Sequence, residues 1–129
     1  MPDTDSARGY ISAARRDAQA LAHMLDEKAF SLEIFGFHAQ QAIEKGLKGW
    51  LCLLDVIPPQ SHNLRQLLVL LESSGIPIDD LWEMVGLTAF AVQFRYEAFE
   101  SLDEPFDRAY WLSRVEALLT GIERQIASL

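Results

Sequence analysis

The chain has 129 residues, of which 50% are hydrophobic, so it has the size and composition of one ordinary globular domain, expected to span residues 1–129. Its 19 acidic and 11 basic side chains give a formal net charge of −8, which argues against binding RNA or DNA through a general basic surface. One cysteine, Cys52, excludes an internal disulfide, and the lack of a long apolar run or a basic leader predicts a cytoplasmic chain with no membrane segment.

Two long helices are predicted in the first half of the chain. The side chains of residues 3–6 can cap the first helix, and apolar residues then recur at helical spacing. These residues are Tyr10, Ala14, Ala18, Leu21 and Leu25. The first helix is expected to end between residues 25 and 28. The second follows it almost directly and ends near Leu54 or Asp55, because Pro58 and Pro59 make residues 55–60 a loop.

The second helix has two chemically different sides. Its apolar side carries Phe35, Ala39, Ala42, Ile43, Gly46, Leu47, Trp50 and Leu54. Its other side, which we call the polar stripe, carries His38, Gln41, Glu44, Lys45 and Lys48. An imidazole, an amide, a carboxylate and two ammonium groups therefore follow one line. Such a stripe can line a polar groove, cover an edge of a bundle or meet a second subunit, and the sequence leaves these uses open.

Two shorter helices are predicted next. Ser61 can cap a third helix, which is expected to stop at residues 73–75, where two serines precede a glycine. Asp80 and Glu83 have the spacing of a capping box at the start of a fourth helix, which is expected to run to about Ala98. Because no charged residue lies between Glu83 and Arg95, this fourth helix is expected to be the most buried element.

A fifth helix is predicted to open at residues 103–105, with Pro105 in its first helical position. Its apolar residues alternate spacings of three and four, which is typical of a seam that packs against a neighbour. This seam contains Leu112, Val115, Leu119, Ile122 and Ile126. The seam and the polar stripe are the two candidates for self-association. Since no segment has the period of a strand, the fold class is predicted to be all-α, an up-and-down bundle of about five helices.

No metal or cofactor site is predicted from local motifs. The three histidines, His23, His38 and His62, are too scattered for a metal motif, and the seven glycines form no phosphate-binding loop. Any enzymatic site would therefore have to be assembled from arginine, histidine and glutamate side chains on different helices. The sequence alone favours a protein without a catalytic centre.

Arg95 and Tyr96 are the strongest local candidates for a binding site. A guanidinium cannot lose its charge on burial, so Arg95 needs a carboxylate, a helix C-terminus or a phosphate as its partner. The helix dipole, Glu44 or Glu97 would satisfy it without any function. A phosphate would make it a binding residue. Tyr96 is either part of that site or an amphipathic residue at the boundary of the bundle.

Three segments in the correct order give the chain a resemblance to a known family. They read Phe37-His38-x-Gln40-Gln41-Ala42-x-Glu44-Lys45-x-Leu47-Lys48, Pro58-Pro59-x-Ser61-His62-Asn63-Leu64 and Phe94-Arg95-Tyr96. From about residue 6 to residue 127 the chain resembles the HEPN domain family. The resemblance implies a compact helical bundle, similar to the helical C-terminal part of kanamycin nucleotidyltransferase, that forms a homodimer. Stand-alone members are often encoded beside a minimal nucleotidyltransferase.

The resemblance also implies two kinds of activity. In some toxin–antitoxin pairs the HEPN component is a metal-independent ribonuclease, whereas other members bind nucleotides or a partner without catalysis. The ribonuclease motif is an arginine followed a few residues later by a histidine. Arg95 matches the arginine, but Glu100, Ser101 and Leu102 stand where the histidine should fall. The missing histidine and the acidic residues around it argue against ribonuclease activity and against RNA as a ligand.

The residues and the resemblance together give three hypotheses for the function. The first is a homodimeric binding or regulatory protein that acts with a nucleotidyltransferase, with a nucleotide or RNA site drawn from Arg95, Tyr96, His38, Gln41, Glu44 and Lys45. The second is a ribonuclease that uses Arg95 with His38 as a substitute base, although a hydrogen bond that holds the bundle is the preferred role of His38. His62, at a helix start, is expected to be structural. The third reading is a purely structural helical dimer.

Overall fold

The computed structural model describes residues 2–88 and 106–129, and all regular structure in these two ranges is helical. Helices α1, α2 and α3 span Thr4–His23, Leu32–Leu53 and Leu64–Ser73. A 3₁₀ helix spans Asp79–Leu87, and α4 spans Arg108–Ala127. The predicted all-α class is confirmed. None of the described helices combines the length and the apolar character that crossing a bilayer requires.

The core is built where α1, α2 and α4 pack against one another. The backbone N–H of Asp3 donates to the carbonyl of Cys52 at 3.0 Å, so the start of α1 lies beside the end of α2 and the two helices are antiparallel. Phe35 contacts Phe106 edge to face, and Gly46 lies against Leu119 farther along, so α2 and α4 run in the same direction. The side chains on the predicted apolar side of α2 fill the space between these helices.

The ends of α1 and α2 follow from their capping residues. Asp3 accepts a hydrogen bond from the N–H of Ser6 at 3.0 Å, as expected for one of the predicted caps, and this bond lowers the pKa of Asp3. The helix ends at His23, slightly before the predicted residues 25–28. Ser31 caps α2, and its end at Leu53 confirms the prediction.

The cap of α3 differs from the prediction. Asn63, not Ser61, occupies the capping position, and its side-chain oxygen accepts from the N–H of Arg65 at 3.0 Å. The hydroxyl of Ser61 instead accepts from the N–H of Asn63 at 3.1 Å, which fixes the turn that leads into the helix. The end at Ser73 agrees with the predicted stop.

The predicted fourth α-helix is a 3₁₀ helix over its described part. The capping box of Asp80 and Glu83 does not form, because Glu83 pairs with Arg114 at 2.9 Å and accepts from the hydroxyl of Tyr110. Most side chains of the described part are partly or fully exposed, and Trp82 is 44% exposed, although Met84 and Leu87 are buried. The prediction of the most buried element rests on the uncharged residues 84–94, most of which lie outside the described residues. Among the described elements, α2 carries thirteen buried residues. The predicted end at Ala98 lies outside the described residues.

Helix α4 begins at Arg108, with Asp107 as its cap, so the helix does not open at Pro105 as predicted. Residues 103–105 themselves lie outside the described ranges. Val115, Leu119, Ile122 and Ile126 of the predicted seam are each no more than 9% exposed because they pack against α1 and α2 of the same chain. The seam is therefore part of the core, and the prediction that it could mediate self-association is wrong.

Candidate functional site

The polar stripe of α2 is covered by other parts of the chain and divides into two hydrogen-bonded groups within the described residues. The Asp17 cluster consists of Asp17, His38 and Lys45. The Glu44 cluster consists of Gln40, Gln41, Glu44, Lys48 and His62. The stripe therefore has one carboxylate centre on α1 and one within α2 itself.

In the Asp17 cluster, one carboxylate from α1 holds two cationic or titratable groups of α2. Nδ1 of His38 lies 2.9 Å from Oδ1 of Asp17, and Nζ of Lys45 lies 2.7 Å from Oδ2. The side chain of Asp17 is only 12% exposed, whereas those of His38 and Lys45 are each 30% exposed. This contact confirms the preferred reading of His38 as a residue that holds two helices together.

The Glu44 cluster surrounds a buried carboxylate with hydrogen-bond donors. Gln40, Glu44 and Lys48 lie on successive turns of α2, so their side chains meet. Oε1 of Glu44 accepts from Nε2 of Gln40 at 3.0 Å, and Oε2 accepts from Nζ of Lys48 at 3.2 Å. The same Gln40 amide donates to the backbone carbonyl of His62 at 3.1 Å. Gln41 joins the cluster because its Nε2 donates to the side-chain oxygen Oε1 of Gln40 at 2.8 Å.

His62 completes the Glu44 cluster from the loop before α3. Its Nδ1 lies 2.9 Å from Oε1 of Glu44. The side chain of Glu44 is 5% exposed, but that of His62 is 61% exposed. Because an ionised carboxylate can only accept, the tautomer of His62 that carries its proton on Nδ1 satisfies this contact.

A third polar network lies away from the stripe and joins α1 to α4. The guanidinium of Arg15 binds Glu116 and Glu123, and it donates to the hydroxyl of Thr120 at 3.0 Å. The hydrogen bond with Glu123 is the main reason why the pKa of Arg15 is raised above its usual value. These contacts stabilise the packing of the two helices.

Cys52 is buried, and burial raises the pKa of its thiol, which is consistent with the inert role expected for it.

The four predicted site residues on α2 therefore do not form one group in the structure. Gln41 and Glu44 belong to one cluster, and His38 and Lys45 belong to the other. Arg95 and Tyr96 lie outside the described residues, as do residues 100–102, where a catalytic histidine was sought. Within residues 2–88 and 106–129, no group of three or more histidine, cysteine, aspartate or glutamate side chains is placed to hold a metal ion.

The sequence reasoning missed several residues of these clusters. Asp17 was not singled out as a site residue, and His62 was expected to be structural. Gln40 was given no role, although its spacing of four from Glu44 indicates a contact within the helix. The contacts of Asp17 and His62 had no such signal, because they join parts of the chain that are distant in sequence.

Comparison with known proteins gives one match. A family model described as HEPN domain matches residues 7–125, which is nearly the whole chain. No curated protein and no solved structure matches the chain.

Proposed function

The chain belongs to the HEPN domain family, and from this membership we propose that it is a homodimeric binding and regulatory protein that acts with a separate minimal nucleotidyltransferase in a toxin–antitoxin-like pair. The family match over residues 7–125 is the observation that carries the proposal. The proposed ligand is a nucleotide, held by Arg95 with Tyr96 beside it. A guanidinium suits this role because it binds phosphate oxygens through paired hydrogen bonds and never loses its charge.

The contacts of the polar stripe support a binding protein in which the stripe is mainly structural. His38 and Lys45 share Asp17, and Lys48 is paired with the buried Glu44. A phosphate would therefore have to compete with a carboxylate for each of these three groups. Lys45 and His38 can contribute at the edge of a nucleotide site, but the principal phosphate contact is assigned to Arg95.

Calorimetric titration with ATP and other nucleotides tests the ligand directly. We expect binding heat for the unaltered chain and at least a tenfold weaker association for Arg95→Ala, because a charged hydrogen bond to phosphate is lost. Arg16→Ala is the matched control, since Arg16 is an exposed arginine on α1 and its removal should leave the affinity unchanged. No heat with any nucleotide would refute nucleotide binding.

The partner is tested in a separate experiment. The reading frame next to the one for this chain should encode a minimal nucleotidyltransferase, and the two proteins should copurify when they are expressed together. Copurification with intact Arg95 and with Arg95→Ala would show that partner binding does not need the nucleotide site. An unrelated neighbouring gene and no copurification with any minimal nucleotidyltransferase would contradict the proposed pairing.

A further inference from the structure

The loop between α2 and α3 presents an apolar side chain to solvent beside an acidic hollow. We propose that this surface, which we call the Ile57 surface, binds a protein segment in which a lysine or arginine lies next to a large apolar side chain. The surface consists of Ile57 and Pro58 from the loop, with Asp3 and Tyr10 from the start of α1. It does not use the proposed nucleotide site, so a flat nucleotide titration or a failed copurification would leave this proposal standing.

Ile57 is the most exposed large apolar side chain among the described residues. Its exposed fraction is 92%, compared with 70% for Leu129 and 44% for Val69. Pro58 and Pro59, which follow it, are also partly exposed and extend the apolar surface. A partner that covers Ile57 therefore removes nearly a whole isoleucine side chain from water, which favours binding.

The backbone around Ile57 is fixed, so the side chain is in position before a partner arrives. Asp55 has a φ of 61°, and the N–H of Val56 donates to the carbonyl of Leu51 at 2.9 Å, which closes the C-terminal turn of α2. The proline that follows Ile57 restricts the backbone of Ile57 to extended conformations. A surface that is already ordered loses less conformational entropy on binding.

The hollow beside Ile57 has a volume of about 350 Å³. Ile57 and Pro58 line it from the loop, and Tyr10 lines it from α1. The backbone N–H of Asp3 donates to the carbonyl of Cys52 at 3.0 Å, which keeps the start of α1 beside the end of α2. A projecting apolar side chain and a hollow of this size lie next to each other, so one short segment of a partner can contact both.

The charge of the hollow indicates which kind of segment it fits. Asp3 and Asp55 line the hollow, and none of its described lining residues is basic. Hydrogen bonds from the hydroxyl and the backbone N–H of Ser6 lower the pKa of Asp3, so its carboxylate is ionised at neutral pH. Arg8 lines a different groove of α1. A basic segment is therefore attracted to the hollow, whereas an acidic peptide or a nucleic acid is repelled.

A second copy of this chain is a poorer occupant of the Ile57 surface. In a symmetric dimer built on this surface, the same patch of each copy faces the other, so the carboxylates of the two hollows would approach one another. The net charge of −8 adds to that repulsion. The charges therefore favour a different protein with a locally basic surface.

Selection of short random peptides displayed on phage against the immobilised full chain tests the proposal. We expect the enriched peptides to share a lysine or arginine next to a leucine, isoleucine or phenylalanine. A synthetic enriched peptide should bind Ile57→Ser about tenfold or more weakly, because the apolar contact is lost. Asp3→Asn should weaken binding about two- to fivefold, since an exposed ion pair contributes modestly and asparagine still caps α1. Fluorescence anisotropy measures both affinities.

Val69→Ser is the matched control for Ile57→Ser. Val69 is a branched apolar residue of α3 that is exposed and does not line the hollow, so its substitution should leave the affinity unchanged. Ile57→Ser should unfold at the temperature of the unaltered chain, because the side chain is almost fully exposed. The proposal is overturned if no peptide is enriched, if the enriched peptides lack a basic residue, or if Ile57→Ser binds them as tightly. Loss of a homodimer in Ile57→Ser would also overturn it, by assigning the surface to a second copy.

Discussion

Glu44 is the buried carboxylate that joins the side chains of the Glu44 cluster on α2. A carboxylate that is 5% exposed would be strongly destabilising if it lacked partners, because burial removes its hydration. Gln40, Lys48 and His62 each donate to it. The side chain of Lys48 is 10% exposed, and its contact with Glu44 gives the ammonium a counter-charge. Glu44 and Lys48 can therefore both stay charged when buried, because each is the counter-charge of the other.

This mutual dependence gives a stability prediction. Glu44→Gln leaves the Lys48 ammonium buried without its counter-charge and should lower the free energy of unfolding by about 3 kcal/mol. The double substitution Glu44→Gln with Lys48→Met removes both charges and should recover more than half of that loss. Urea unfolding followed by circular dichroism measures both values.

The control for this prediction is Lys48→Met alone, which leaves Glu44 with the donors Gln40 and His62. It should be less harmful than Glu44→Gln, because two hydrogen bonds to the carboxylate remain. Equal stability of Glu44→Gln and the unaltered chain would show that the pair contributes nothing to folding.

At this scale, sequence periodicity predicted which side chains of α2 share a face but not what they contact. His38, Glu44 and Lys45 were placed correctly on one side, because the spacing within a helix fixes their directions. The insertion of Asp17 between His38 and Lys45 depends on how α1 is rotated against α2. The approach of His62 depends on the path of a loop. Neither the rotation of α1 against α2 nor the path of this loop can be predicted from the spacing of residues within one helix.

Helix α1 packs closely against α2 at Gly49. A Cβ atom on Gly49 would lie 3.2 Å from Cδ1 of Ile11 and 3.3 Å from the backbone oxygen of Ala7. Backbone atoms cannot rotate away as a side-chain end can, so the helices would have to separate slightly. Gly9, in α1, has open space where its Cβ would be.

These two glycines provide a matched pair of substitutions at the level of the helices. Gly9→Ala should stabilise the chain by about 0.5–1 kcal/mol, because alanine is the better helix former and no contact opposes it. Gly49→Ala gains the same helix propensity, but its Cβ would push α1 slightly away from α2. We expect it to be less stable than Gly9→Ala by about 1 kcal/mol or more in urea unfolding. Equal effects of the two substitutions would contradict the close packing.

The helices themselves were predictable to different degrees. For α1 and α2, local capping chemistry and apolar spacing agree with the packing, so the predicted ends were nearly correct. The 3₁₀ helix was not predictable, because Glu83 is drawn to Arg114 and Tyr110 on α4 instead of capping its own backbone. The hydrogen bond between Tyr110 and Glu83 also raises the pKa of Tyr110. Residues of α4 therefore take the side chain of Glu83 that would otherwise cap the backbone of its own helix.

For the molecule as a whole, the net charge of −8 bears on the proposed homodimer. Two acidic chains repel one another, and salt shortens the range of that repulsion. The seam of α4 is occupied within the chain, so the dimer must use another surface. The polar stripe offers little free charge to it, since its cations are paired internally.

The homodimer should therefore become tighter as the salt concentration rises. Sedimentation velocity at a fixed protein concentration should show a larger dimer fraction at about 0.5 M than at about 0.05 M sodium chloride, because the screening length falls severalfold. The dimer would have twice the 14.6 kDa mass of the chain. A chain that stays at the monomer mass under all these conditions would refute the dimer, and a dimer that weakens with salt would indicate an interface held by ion pairs.

The Arg15 network has a consequence for the lifetime of the folded state. It joins residues that are 101 and 108 positions apart in the chain. Closing so long a loop costs entropy before the contacts can form, so they are expected to form after the local helices and the pairing of α1 with α2. Contacts that form late affect the unfolding rate much more than the folding rate. Arg15 therefore influences mainly how long the molecule stays folded and has little effect on how quickly it folds.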